Sequence, residues 1–303
     1  IEKKLLATNP VSGEVLPEAV SFDGATDSLS RTTPMTGQAD GKTFTLSLWV
    51  YWLGTSGNAH LFQQGGGRFY SSIQDGNNHL SIRAKNASGT EIFRFETPIN
   101  NVPDNTWVSI QMSFDLSDTS KRHIYVNEVD ITSATFAGTY PKYVNDNIDL
   151  TPAAGSGLFD TTYRIAAQYS SQGNINGRLA HFFFDYTYRD LSVTANRRLF
   201  IDADGKPADS DTLAALNPIL YLPMTDAATA GSNSGTGGDF TVNGVLATAE
   251  RGPNQDNCSA SVFDGSNDYM RRTSLTGAAD GKQFTVSFNF LEPVTSGNRP
   301  IFS

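Results

Sequence analysis

Residues 42–52 read KTFTLSLWVYW. Phe44, Leu46, Leu48 and Val50 fall on one parity, and Thr45, Ser47, Trp49 and Tyr51 on the other. Successive side chains of a β-strand point to opposite faces of a sheet, so this alternation describes a strand with one face in a core. The chain supplies its own check at residues 282–290, KQFTVSFNF, where Phe284, Val286, Phe288 and Phe290 keep the first face apolar. Thr285, Ser287 and Asn289 keep the second face mostly polar, and Asn289 stands where the first copy has Trp49, so the core does not require an aromatic there.

The doubling reaches beyond the strand. FDGATDSL at residues 22–29 returns as FDGSNDYM at 263–270, with an offset of 241 before Pro34 and 240 after it. LLAT at residues 5–8 is echoed by VLAT at 245–248. Internal repeats set the architecture before any single element does. Residues 1–247 are therefore expected to hold one complete unit, with its core in 17–225, and residues 248–303 the start of a second, truncated unit. An incomplete copy stopping at Ser303 inside a strand-like run cannot bury its own core, so both ends read as cuts across a longer tandem array.

Further period-two runs follow, among them RFYSSIQ, HLSIRAK, EIFRFET, TWVSIQMSFD, RHIYVNEVD, YRIAAQY, RLAHFFFDYTYRD and PILYLPM. Turn chemistry such as DGNN, NASG, PDN and DLSDTS separates them. About a dozen short strands with polar loops predict an all-β fold, an antiparallel two-sheet β-sandwich. The best helical pattern is SVTANRRLFID, where Ser192 would cap a short helix running through Asn196 to Leu199. The Gly- and Ser-rich residues 226–239 read as a surface loop inside the domain, because the strand-like DFTVNGVLAT after them has its counterpart in the repeat.

Composition sets limits on partners. A hydrophobic fraction of 38% with 27 Gly and 13 Pro suits a protein of short strands and many turns. No apolar run approaches the roughly 18 residues of a membrane span, and no charged-then-apolar leader opens the chain. The net charge is −9 with scattered basic residues, which argues against nucleic acid as a partner. The single cysteine, Cys258, excludes an internal disulfide and reads as a small, partly buried apolar residue.

In order, FDG..D.L, FT.S.WV, TWVSIQMSFD with HIYVNEVD, and GRLAHFFFDYTYRDLS resemble the laminin-G-like, concanavalin A-like jelly roll over roughly residues 17–225. Glu128 stands where that family's hairpin usually has Gly, and Ala180 with His181 where its closing strand usually has Asp and Glu. Those departures count against carrying over the calcium or sugar site of the acidic version. Two further stretches, NRRLFIDADGKPA and GSNSGTGGDFTVNG, are similar to jelly-roll domains in structural proteins of tailed bacteriophages, especially marine ones.

The fold also hosts glucanases, and retaining glycoside hydrolysis needs two carboxylates about 5–5.5 Å apart. The nearest pair is Glu128 with Asp130, without a third acid and at an expected hairpin turn, so solvated turn acids are the simpler reading. His60, His79, His123 and His181 come without a Gly-x-Ser-x-Gly elbow or a reactive-cysteine motif, and His and Cys make no metal-ligand cluster. Asp23 and Asp27, and their second-copy counterparts, place two carboxylates four residues apart in a turn. They are the ligands to test for calcium, against a reading in which Asp23 and Gly24 build a tight turn and Asp27 binds its amides. No other cofactor is indicated.

Binding chemistry is better supplied. Trp49 and Tyr51 sit on the polar parity of their strand, where aromatic rings can stack on the apolar side of a sugar, unless a loop or neighbouring subunit covers them. Tyr140 and Tyr143, in GTYPKYVNDN, are alternative carbohydrate contacts. The reading is a non-catalytic virion structural protein, a capsid decoration, fibre or tail-associated component. Its lectin-like modules would serve assembly, through other virion proteins or copies of itself, and adhesion to carbohydrate or a host surface. The alternative is a secreted or cell-surface bacterial carbohydrate-binding module, and a glycoside hydrolase ranks last.

Overall fold

The computed structural model describes residues 19–54, 57–64, 67–74, 76–133, 141–151, 162–168, 173–249 and 252–253. Contacts divide the chain into two compact units, residues 1–256 and 257–303. The second unit, with Cys258 and the second copy of the repeat, lies outside the described residues.

The described part of the first unit is two antiparallel sheets. The first runs β10 (Val129–Asp130), β9 (Arg122–Val126), β8 (Trp107–Asp115), β3 (Thr43–Trp52), β13 (Asn176–Asp185), β1 (Val20–Asp23) and β16 (Ala247–Thr248), and β14 (Leu220–Leu222) also pairs with β13. The second runs β11 (Lys142–Tyr143), β7 (Glu91–Glu96), β6 (His79–Lys85), β5 (Phe69–Gln74), β4 (Ala59–Gln64), β12 (Tyr163–Ile165), β2 (Ser28–Arg31) and β15 (Thr241–Asn243).

The parity of residues 42–52 decides which side faces in. Phe44, Leu46, Leu48 and Val50 are fully buried, with Val108, Ile110, Met112 and Phe114 of β8 opposite them in register. From the second sheet come Phe69, Ile82, Phe93, Phe95 and Ile165, all in the same core cluster. Phe44 is the hinge of this packing. Its ring lies 5.2 Å from Phe69 and 5.6 Å from Phe93 across the sandwich, and 5.3 Å from Phe114 within its own sheet. Edge-to-face and offset geometries at these separations add to the burial of each ring.

Strands β15 and β16 close the unit at both sheet edges. Val242 is opposite Leu29 of β2, Thr248 is opposite Val20 of β1, and the Ala249 amide donates to the Ala19 carbonyl at 3.0 Å. Strand β16 spans Ala247–Thr248. The loop 226–239 is packed tightly into the domain. Asn233 Oδ1 accepts from the amides of Tyr221 and Gly235 at 2.8 and 2.9 Å, and its Nδ2 donates to the carbonyls of Ile219 and Gly238.

Two local expectations change. Helix α1 spans only Thr194–Arg197 and begins at Val193 without a side-chain cap, because the Ser192 hydroxyl donates to Asp190 instead. A second helix, α2 (Ser210–Ala215), is capped by Asp209, which accepts from the Asp211 amide, and it buries Leu213. One buried apolar residue on a six-residue helix gives too little periodicity to read from sequence.

Segment 186–216 lies over the outer face of the first sheet. Leu191, Phe200 and Leu213 form a second cluster there with Tyr125, Phe183 and Tyr221. A bulge in β13 makes this possible, since Ala180 faces Trp49 and Phe183 faces Ser47, leaving two residues opposite one. His181 is at this bulge with φ of 49°, so Phe182 turns inward and Phe183 outward.

Candidate functional site

The turn acids are committed to backbone. Asp23 Oδ1 accepts from the amides of Ala25, Thr26 and Asp27 at 2.8–3.0 Å, and its Oδ2 from the Thr26 hydroxyl at 2.9 Å. Burial pushes the Asp23 carboxyl upward, yet these four donors together hold it at about 2. Asp27 Oδ2 accepts from the Asp23 amide at 3.1 Å and its Oδ1 from the Val245 amide at 2.9 Å. Gly24 carries φ of 74°, and a Cβ there would approach Asn176 Cβ to 2.8 Å, which explains the glycine of the octet. Asp23 and Asp27 thus meet as a turn and a clasp on the closing strands, and among the described residues no group of three His, Cys, Asp or Glu could hold a metal ion.

The Glu128–Asp130 pair occupies a two-residue hairpin between β9 and β10, with Asn127 and Glu128 at φ of 47° and 64°. Both left-handed angles mark a type I′ turn, the reason Gly is usual at position 128. The Glu128 carboxylate pairs with Arg198, while Asp130 accepts from the Thr132 amide and the Tyr125 hydroxyl. Neither carboxylate is left facing an open cleft with a partner acid.

Another acid pair lies on the second sheet. Arg83 Nη2 is 2.6 Å from Glu96 and its Nη1 is 3.8 Å from Glu91, while Arg94 is 2.6 Å from Glu91. Two carboxylates tied to two guanidiniums thus form an ion-pair network on that sheet. The histidines are likewise built into structure. His123 Nε2 meets the Tyr188 hydroxyl at 2.8 Å, and His181 Nδ1 meets the Tyr221 hydroxyl at 3.0 Å. Burial pushes both His60 and His181 down to about 4.

Among the aromatic candidates, Trp49 is 4% exposed. It packs with Ala19, Ala180, Ile201 and Ala249 beneath the segment that covers the sheet, so neither ring face is open to a sugar. Tyr143 is partly buried against the core, with its ring 5.5 Å from Phe93 and the Arg122 guanidinium 4.0 Å above it. Burial pushes its hydroxyl up to about 12. Tyr140 lies outside the described residues.

Tyr51 is different. The outward residues of β3 pass from Thr45, whose hydroxyl donates to the Thr187 carbonyl, through buried Ser47 and Trp49, to half-buried Tyr51 where the cover ends. Register places Trp107 of β8 on one side of Tyr51 and Arg178 of β13 on the other. The Tyr51 and Trp107 rings are 5.6 Å apart at 61°, and Arg178 Cζ lies 4.9 Å from the Tyr51 ring centroid. All three are half-buried. Strand spacing makes the row about 10 Å long, the scale of a short oligosaccharide.

Gly177 sets Arg178 in place, since a Cβ there would lie 2.3 Å from the Tyr51 carbonyl oxygen. The Leu53 amide donates to the Asn176 carbonyl at 3.0 Å, and Asn176 Nδ2 donates to the Gly54 carbonyl at 3.1 Å, fixing the two strands at that end. Trp107 and Arg178 were not singled out from sequence. The alternation of TWVSIQMSFD puts Trp107 on the polar parity, but only strand register shows that it adjoins Tyr51.

A laminin G family model, described as the concanavalin A-like lectin/glucanases superfamily, matches residues 23–163. The fold is a concanavalin A-like jelly roll. A solved candidate carbohydrate-binding protein from Bacteroides ovatus superposes on it with a TM-score of 0.51 at 14% identity, covering 77% of this chain. This chain spans 60% of the length of that protein. A heptameric SAP-like pentraxin from Limulus polyphemus follows at TM-score 0.39 and 13% identity, covering 58% of this chain and 79% of its own. Domains LG4-5 of the mouse laminin alpha1 chain give 0.37 and 13%, covering 58% of this chain and 44% of theirs. No curated protein matches the chain. Within the jelly roll, Trp107, Tyr51 and Arg178 form a half-buried row on the first sheet, with Trp107 packed against the cluster that encloses Trp49.

Proposed function

We propose that this jelly roll is a non-catalytic, glycan-binding adhesive module, and that the Trp107–Tyr51–Arg178 row is its binding face. The observation that carries the reading is the juxtaposition of two half-buried rings in register on adjacent strands, beside a cation. Trp and Tyr rings offer flat apolar area to the C–H face of a pyranose while their polar tips stay wet. The lectin-like fold and the carbohydrate binding attributed to the Bacteroides protein accord with this reading.

The sequence repeat supports a tandem arrangement, with one complete unit in residues 1–247 and the start of a second in 248–303. Weak sites repeated along one chain gain avidity through effective concentration without new contacts. The setting proposed for such an array is a virion structural protein, a capsid decoration, fibre or tail-associated component in contact with its own copies or other virion proteins. A secreted or cell-surface bacterial module is the alternative setting for the same chemistry.

The test is a glycan array with the intact protein and its Trp107→Ala variant. Binding that is lost in the variant while its unfolding temperature is kept supports the module. A flat array, or binding indifferent to Trp107, refutes it. Sedimentation of the source protein with virus particles or with free extracellular fractions separates the two settings.

A further inference from the structure

The protein carries a net charge of −9, yet Arg178 has no ion pair or hydrogen bond among the described residues. Its contact is the face of Tyr51 at 4.9 Å. Arg83 and Arg94 are occupied by glutamates, Arg189 by Asp185 and Arg198 by Glu128, while Arg122, also without an ion pair, lies over Tyr143, a ring packed into the core. Arg164 also lacks a partner, but its Nε is enclosed and burial pushes its pKa down, so it is poorly placed to meet a ligand. Arg178 instead sits half-buried in the same cross-strand row as Tyr51 and Trp107.

We infer that the ligand of this face is a saccharide carrying an isolated carboxylate, a uronic-acid or sialic-acid type of sugar, held by Arg178 while its ring stacks on Trp107 and Tyr51. The inference rests on the row being a glycan site. A guanidinium is a planar fork that matches the two oxygens of a carboxylate, and stacking on Tyr51 orients the fork without using its donors. The flanking strand adds no competing acid, because Ser21 of β1 is the residue opposite Arg178. A guanidinium without a carboxylate partner, beside two half-buried rings, suits a carboxylate on a sugar. A densely sulfated or phosphorylated chain would bring several charges against a net −9 surface and be repelled.

The experiment pairs each acidic oligosaccharide with its neutral twin of the same ring: oligogalacturonate, oligoglucuronate and a sialyl oligosaccharide, against their methyl esters. Affinities for the wild type, Arg178→Gln and Trp107→Ala proteins are measured by calorimetry, with heparin fragments as a dense polyanion. At least one acid is expected to bind tenfold or more tighter than its ester. Arg178→Gln should erase that preference while keeping the ester's affinity, Trp107→Ala should weaken both twins, and heparin should bind more weakly than the preferred acid. Equal affinity of every acid and ester, a preference that survives Arg178→Gln, or stronger heparin binding overturns the inference. If the esters bind and depend on Trp107, the glycan face stands and only the acidic assignment falls. If no saccharide binds, the face itself is refuted.

Discussion

Replacing Asp27 by Ala tests whether the doubled octet is a turn clasp or a cation site. The residue is 3% exposed, and its carboxylate accepts two amide protons, from Asp23 at 3.1 Å and Val245 at 2.9 Å. A hydrogen bond to a charged group contributes about 1.5–3 kcal/mol, and an amide left without its partner carries a desolvation cost. With both donors only partly buried, the low end applies, and the loss should total about 3 kcal/mol. For a domain of this size 1 kcal/mol shifts Tm by about 2–4 °C, so a fall of roughly 6–12 °C is expected. Thermal and urea unfolding should be followed at neutral pH, in chelator and then in millimolar calcium. A bound cation would raise the wild-type Tm by mass action, and the clasp predicts no such rise. A loss below about 1 kcal/mol in chelator, together with a calcium-dependent Tm that vanishes in the variant, would refute the clasp.

Other expectations follow from the same contacts. Trp49→Ala should lose about 3–5 kcal/mol by emptying a buried site. Trp49→Phe should stay within about 1.5 kcal/mol, because it also removes an indole N–H that is buried without a partner, and chemical denaturation reads both. His60 and His181 are held neutral, with folded values of about 4 below the ordinary 6.5. Their contribution is therefore full above pH 6.5 and is lost as pH falls toward 4, with a slope of up to about 1.4 kcal/mol per pH unit for each group. His181→Asn should flatten that limb of a stability–pH curve. Asp23 adds a second acid limb, present above 3.8 and lost toward about 2. Gly177→Ala sets a methyl 2.3 Å from the Tyr51 carbonyl oxygen, so it should cost about 1–3 kcal/mol and loosen Arg178 as well, seen as lower Tm and weaker glycan binding.

Much of the sandwich is legible in the chain because period-two patterning is local. The parity of residues 42–52 names the buried face of β3 residue by residue, and the repeat checks it. The octet's turn chemistry is legible for the same reason, since the Asp23 contacts span no more than four residues. The proposed binding face was only half legible. Tyr51 was on the right parity, but so was Trp49, and what separates them is where a distant segment ends its cover.

Sequence by itself therefore determined the fold class, the inward face of unbulged strands such as β3 and the doubling, all consequences of spacing along the chain. Tertiary structure alone decided which outward rings stay reachable. Trp107, Tyr51 and Arg178 are separated by more than fifty residues each, and antiparallel register alone makes them neighbours. It also decided that Ile201 and Ala249 close over Trp49, and that Val245 returns to Asp27. Such contacts depend on loop paths and strand pairing over long separations, which alternation within one strand does not encode.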